Sequence, residues 1–194
     1  MSTVFYFGAM SPYSWFAAER IGVLLPDAQW TPVFAGGVFK ACGRMSWGMT
    51  EEREVKLGEC EARARARGLG AIEWPDPWPT NDVLIARAMI FAGQRGALRR
   101  FALTAMRMAF GQGLDLGAAE AVREVAERSG LDGDEVAAAI SDPQVKAALR
   151  AATGEAVACG VFGVPTVRVG ATLFWGDDRL EEAAALAAHA TRRR

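Results

Sequence analysis

The sequence predicts an α/β fold: a mixed sheet with flanking helices, interrupted by a large all-helical insertion. Three observations carry this prediction. A strand–helix–strand pattern opens the chain, a strand–strand–helix pattern closes it, and the residues between show helical periodicity with no strand among them.

In order, Thr3 to Gly8 is a β-favouring run of aromatic and β-branched residues. A helical pattern follows from Pro12 to about Leu25, then a second strand near Gln29 to Phe34. From Thr50 to about Gly160 the apolar residues recur at helical spacing in Glu51 to Arg67, Asp82 to Ala92, Leu98 to Phe110, Ala118 to Ser129 and Gly133 to Ala152. Breaks at Gly68-Leu69-Gly70, the proline cluster Trp74 to Pro79, Gly111-Gln112-Gly113 and Gly130 separate these helices. After Gly163, Thr166 to Val169 and Thr172 to Trp175 flank a Gly170-Ala171 turn and predict an antiparallel hairpin, and a last helix runs from about Arg179 to Ala190. Residues 1–40 and 155–194 are therefore expected to form the sheet domain, with 41–154 as the helical insertion.

Composition narrows the function. With 194 residues, 51% of them hydrophobic, the chain can bury a substantial core. Its 22 basic and 23 acidic side chains nearly cancel, and apart from the Arg192-Arg193-Arg194 tail there is no block of like charge, so neither a nucleic-acid nor a membrane partner is expected. Met1-Ser2-Thr3 leads straight into the first strand pattern without a basic segment and apolar signal core, which predicts a cytoplasmic protein. Cys42, Cys60 and Cys159 are widely spaced, no Cys-x-x-Cys occurs, and His189 is the single histidine. That argues against a metal site and a dithiol redox centre, and for reduced, mostly buried thiols.

The stretch Ser11-Pro12-Tyr13-Ser14 stands where the first helix begins. Ser11 suits an N-cap, and Pro12 suits the first helical position because its missing N–H would have had no intrahelical partner. Near the other end, Gly160-Val161-Phe162-Gly163-Val164-Pro165-Thr166 places a proline at the entry of a strand. A cis Val164-Pro165 bond there would turn the chain and leave the backbone of Val164 free for an extended ligand.

Together these features resemble the thioredoxin superfamily, in which a reactive position at the first helix's N-terminus faces a cis-proline loop. More narrowly, the chain resembles the family of 2-hydroxychromene-2-carboxylate isomerases and kappa-class glutathione transferases, relatives of the bacterial periplasmic disulfide oxidoreductases. The resemblance rests on Phe5-Tyr6-Phe7 with Ser11 to Ser14, Gly36 to Lys40, Asp142 to Lys146, Gly160 to Thr166, and Leu173 to Leu180, which contains Phe174-Trp175-Gly176-Asp177-Asp178-Arg179.

The resemblance implies a thioredoxin-like fold and a site for glutathione or another low-molecular-weight thiol. Ser11 and Ser14 occupy both cysteine positions of the dithiol relatives, so the reactive sulfur must come from outside the chain. Ser11 is then the residue that stabilises the bound thiolate, helped by the positive end of the helix. Val164 is expected to pair with the cysteinyl backbone, and Trp175, Gly176, Asp177 and Asp178 to form the γ-glutamyl pocket. Asp178 also stands at capping-box spacing from Glu181. Lys40 is expected to hold a substrate carboxylate, and Trp78 is either an aromatic substrate contact or a packing residue, followed by Asn81 of a Pro-x-Asn signature. Arg44 departs from the family's asparagine, while Arg53 and Lys56 are further candidates for the glycyl carboxylate.

The implied activity interconverts 2-hydroxychromene-2-carboxylate and trans-o-hydroxybenzylidenepyruvate through a transient thiol adduct. Alternatives are a kappa-like glutathione transferase acting on an electrophilic substrate, and a noncatalytic thiol-binding or interaction module. Relatives are commonly dimers, so a homodimer is expected.

Overall fold

The computed structural model describes residues 2–191, and the Arg192-Arg193-Arg194 tail lies outside them. Four strands, β1 (Thr3–Phe7), β2 (Gln29–Pro32), β3 (Thr166–Val169) and β4 (Thr172–Trp175), form one sheet in the order β2-β1-β3-β4. The β1–β2 pair is parallel, with Phe5 opposite Trp30; β1–β3 and β3–β4 are antiparallel, with Phe5 opposite Val167 and Val167 opposite Phe174. The chain reaches its parallel neighbour through α1 (Pro12–Leu24), the helical crossover that such a pair requires.

Strand β1 has a core on each face because successive side chains point opposite ways. Phe5 and Phe7 stack with ring centroids 5.0 Å apart and meet Trp30, Phe16 and Ile21 in the larger cluster. Val4 and Tyr6 enter a smaller cluster with Val33, Val38, Ala156, Val161 and Val164. Each fully buried large side chain contributes about 1.5–3 kcal/mol of hydrophobic stabilisation.

Between the two halves of the sheet lie α2 (Ala35–Ala41), α3 (Arg53–Ala66), α4 (Val83–Gln94), α5 (Leu98–Gln112), α6 (Ala119–Arg128), α7 (Gly133–Ala139) and α8 (Pro143–Ala158); α9 (Leu180–Thr191) follows β4. Two differences from the sequence expectation have local causes. The run read as one helix from Gly133 to Ala152 is two, because Asp142 caps a new start: its carboxylate accepts the Gln144 N–H at 2.6 Å and Pro143 takes the first position. Helix α2, absent from the expectation, contains Gly36 and Gly37 and has no side-chain cap. Tertiary packing supplies what propensity lacks: α2 packs on α8, and the Phe34 N–H donates to Thr153 Oγ1 of α8 at 3.1 Å.

The thiols also differ from expectation. All three are free, but only Cys60 is buried; Cys42 is half-buried and Cys159 exposed. Among the described residues no helix is long and apolar enough to cross a membrane, and no group of three or more His, Cys, Asp or Glu could hold a metal ion.

Candidate active site

A cleft of about 1430 Å³ opens beyond the C-terminal ends of β1 and β2, between the sheet and α3. Its walls bring together Ser11, Lys40, Trp78, Val164, Trp175, Gly176, Asp177 and Asp178, with Arg44 and Lys56. Arg53 is not among the lining residues and pairs with Glu54 at 2.6 Å instead.

Ser11 is the N-cap of α1. Its backbone is extended, with φ −102° and ψ 117°, and its Oγ accepts the Ser14 N–H at 3.2 Å. That bond uses an oxygen lone pair, and the hydroxyl proton has no acceptor among the described residues. The side chain thus caps the helix and still has a donor to offer the cleft. Ser14 does different work: fully buried, it accepts the Gly8 N–H at 3.4 Å and fixes the loop that carries Ser11.

Opposite Ser11, the Val164-Pro165 bond is cis. Strand pairing starts only at Thr166, and neither the N–H nor the C=O of Val164 is hydrogen-bonded within the described residues. The Gly176 N–H donates to the Pro165 carbonyl at 2.9 Å and holds the exit of β4 against this loop. Only glycine suits position 176, where φ is 109° and a Cβ would collide with Asp178 Oδ1.

The two aspartates after Gly176 have separate environments. Asp177 is fully buried; its Oδ1 lies 2.6 Å from Arg63 Nη1 and its Oδ2 meets the Arg67 guanidinium. Its carbonyl also accepts from Arg20 at 3.2 Å. Those contacts spend the Asp177 carboxylate on anchoring α3 over the cleft. Asp178 is exposed at the rim, and no cap bond of its carboxylate occurs among the described residues; Glu181, three residues on, pairs with Arg20. Of the two, Asp178 is the acid left exposed on the cleft.

Arg44 lies with its guanidinium carbon 5.2 Å from the ring centres of both Phe162 and Trp175, a double cation–π contact across the rim. It makes no ion pair among the described residues, so its hydrogen-bond donors are free for an anion. Lys40, exposed in the last turn of α2, is likewise unpaired, whereas Lys56 meets Glu52 at 3.6 Å.

Trp78 is mainly a packing residue with one face on the cleft. It is buried, its Nε1 donates to the Met10 carbonyl at 3.2 Å, and its ring lies 4.8 Å from both Trp47 and Trp74. Asn81 lines the same wall, and its Oδ1 accepts the Val83 N–H at 3.1 Å where α4 begins. Cys60 lies behind the wall, hydrogen-bonded to Tyr13, and burial pushes its thiol up to about 11. It is a protonated, inert thiol at neutral pH.

Two parts of the site escaped sequence reasoning. The Arg63 and Arg67 clamp on Asp177 joins residues far apart in the chain, and nothing local marks it. Asp82, buried in the cleft wall, reads in sequence as an ordinary residue at a helix start.

A serine at the N-terminus of the first helix, a cis-proline loop opposite it and a four-stranded mixed sheet define a thioredoxin-fold protein whose motif has no cysteine. The chain belongs to the family of DSBA-like thioredoxin domains, which matches residues 3–187. It is 28% identical over 191 residues to a 2-hydroxychromene-2-carboxylate isomerase of Sphingobium xenophagum, covering 91% of this chain and 93% of that one. Among solved structures, a 2-hydroxychromene-2-carboxylate isomerase superposes with a TM-score of 0.84 at 22% identity, covering 100% of this chain and 97% of the other. The cytosolic disulfide reductase DsbM from Pseudomonas aeruginosa, solved with GSH, superposes with a TM-score of 0.62 at 10% identity, covering 100% and 98%.

Proposed function

We propose that this protein is a glutathione-dependent isomerase of the 2-hydroxychromene-2-carboxylate type. The observation that carries the reading is the Ser11 hydroxyl: capped into the start of α1, it keeps a free donor on the cleft, across from the unpaired backbone of Val164. The similarity to an isomerase over nine-tenths of both chains supports the reaction class. A thiol fits where the dithiol motif is absent, and the relative solved with GSH supports glutathione as that thiol.

In this reading glutathione lies along Val164 as an added strand, its ammonium group at Asp178 and its carboxylates within reach of Arg44 and Lys56. Ser11 donates to the sulfur, and the helix N-terminus favours its ionised form. The thiolate adds to the conjugated enone of the ring-opened substrate and turns its carbon–carbon double bond into a single one. Rotation becomes fast, and expulsion of the thiolate leaves the isomer that can close its ring. Lys40 meets the substrate carboxylate, and Tyr13, Trp47 and Trp78 offer the aromatic ring an apolar wall.

The deciding experiment follows bound glutathione by ultraviolet absorption and the chromene carboxylate by turnover. Thiolate near neutral pH that disappears in Ser11→Ala, with turnover that consumes no glutathione, is the expected result. Stoichiometric consumption of glutathione would make the protein a transferase, and thiolate unchanged in Ser11→Ala would remove Ser11 from the mechanism.

A further inference from the structure

Asp82 is a buried acid on the cleft that neither the proposed chemistry nor an ion pair among the described residues uses, unlike Asp177, which is held by Arg63 and Arg67. Asp82 is 4% exposed, it lines the cleft, and its Oδ2 has no hydrogen-bond partner among the described residues. Its position is narrow: a methyl group on Gly8 would lie 3.5 Å from Asp82 Oδ2, 3.6 Å from Val164 Cγ2 and 3.2 Å from Ala35 Cβ. The carboxyl group therefore sits where the end of β1, the start of α2 and the cis-proline loop converge.

Capping does not explain it. Asp82 precedes α4, yet its side chain makes no cap bond to the helix; Asn81 accepts the Val83 N–H instead. Ion pairing does not explain it either, because no salt bridge among the described residues includes it and its remaining polar contact is with its own backbone. An unpartnered buried carboxyl costs stability, and an apolar or neutral residue of similar size would avoid that cost.

We propose that Asp82 is the proton carrier of the cleft, giving its proton to the carbonyl oxygen of an α,β-unsaturated carbonyl substrate as the thiolate adds, and taking it back as the thiolate leaves. This rests on the isomerase reading. The sulfur forms a bond to the β-carbon, the π pair of the alkene shifts toward the carbonyl, and the oxygen takes the proton. A carboxylate and an enol result. Collapse of the enol returns the proton to Asp82, restores the carbonyl and breaks the carbon–sulfur bond, so no proton is gained or lost over the cycle.

Burial raises the Asp82 carboxyl from 3.8 to about 7, which suits a group that must both give and take a proton near neutral pH. Tyr13 of α1, Lys40 of α2, Glu59 and Arg63 of α3, and Asp178 after β4 share the cleft walls, and none of them contributes to that shift.

The test compares the wild-type protein with Asp82→Asn, which keeps the shape and removes the proton. Expected are unchanged glutathione affinity and thiolate absorption, a fall in kcat for the chromene carboxylate of at least about 100-fold, and loss of the decline in rate that the wild type shows above about pH 7. Full kcat with that decline intact in Asp82→Asn would overturn the proposal. If the wild type does not turn over the chromene carboxylate, the isomerase reading fails by itself. The rate of glutathione addition to 4-phenylbut-3-en-2-one on the protein then decides for Asp82: a slower rate in Asp82→Asn supports it, and equal rates, or no acceleration by the wild type, overturn it.

Discussion

Arg63 Nη1 and Asp177 Oδ1 are 2.6 Å apart, and this contact joins the exit of the last strand to a helix more than a hundred residues earlier in the chain. Arg67 holds the other carboxylate oxygen. Asp177 is fully buried while Arg63 is about one-third exposed, so solvent screens part of the interaction. Replacing Asp177 with Asn leaves two guanidiniums facing an uncharged group in a closed space. The expected loss is on the order of 3 kcal/mol in urea unfolding, and weaker thiol binding should accompany it because α3 forms a cleft wall. A stability within 0.5 kcal/mol of wild type, the ~0.5 kcal/mol scatter of surface substitutions, would mean that the clamp is idle.

Arg44 is expected to read carboxylates. Arg44→Ala should weaken glutathione binding by roughly 10-fold, the worth of a partly exposed charge-assisted hydrogen bond, and should leave binding of cysteamine, which has no carboxylate, unchanged. Calorimetry at low and high salt checks this, since the wild-type advantage should shrink as salt screens the charge.

Trp78 connects the aromatic wall to the loop that carries Ser11 through its bond to the Met10 carbonyl. Trp78→Phe keeps most of the ring packing and leaves that carbonyl unpaired. About 1 kcal/mol of stability should be lost, with a larger proportional loss in thiolate absorption than in glutathione affinity. Thermal unfolding and ultraviolet titration separate the two effects.

The stability of the protein should depend on pH through Asp82. Its folded value is about 7 against 3.8 for the ordinary carboxyl, so between these values the folded state binds more protons than the unfolded one. Stability then falls as pH rises through this window, by a few kcal/mol at most (a shift of one unit is ~1.4 kcal/mol). Asp82→Asn should flatten the decline and be the more stable protein above pH 7. Parallel pH profiles for the two proteins in urea would contradict this.

Legibility in the sequence followed how local each cause is. Strand β1, helix α1 and the β3–β4 hairpin were readable because alternation, the Ser11-Pro12 start and the Gly170 turn each act within a few residues. Helix α2 was not, because its two glycines oppose it and its support comes from Thr153 of α8. The split at Asp142-Pro143 was written in a cap signal that the longer periodicity masked. At the site, Ser11 and Val164 belong to motifs, whereas the Arg63–Asp177 contact exists only after folding. Asp82 hid behind its position, since an acid at a helix start has an ordinary explanation that here belongs to Asn81.

The two cores on β1 also govern how the site tolerates change. Phe5 and Phe7 belong to one core and Val4 and Tyr6 to the other, so inserting or deleting a residue among them would turn the side chains beyond the change into the core built for the other set. Ser11 is counted off from that strand through Gly8, Ala9 and Met10. The aim of its hydroxyl is therefore inherited from an alignment it takes no part in: the two cores of β1, and not the cleft, hold the spacing from Phe7 to Ser11.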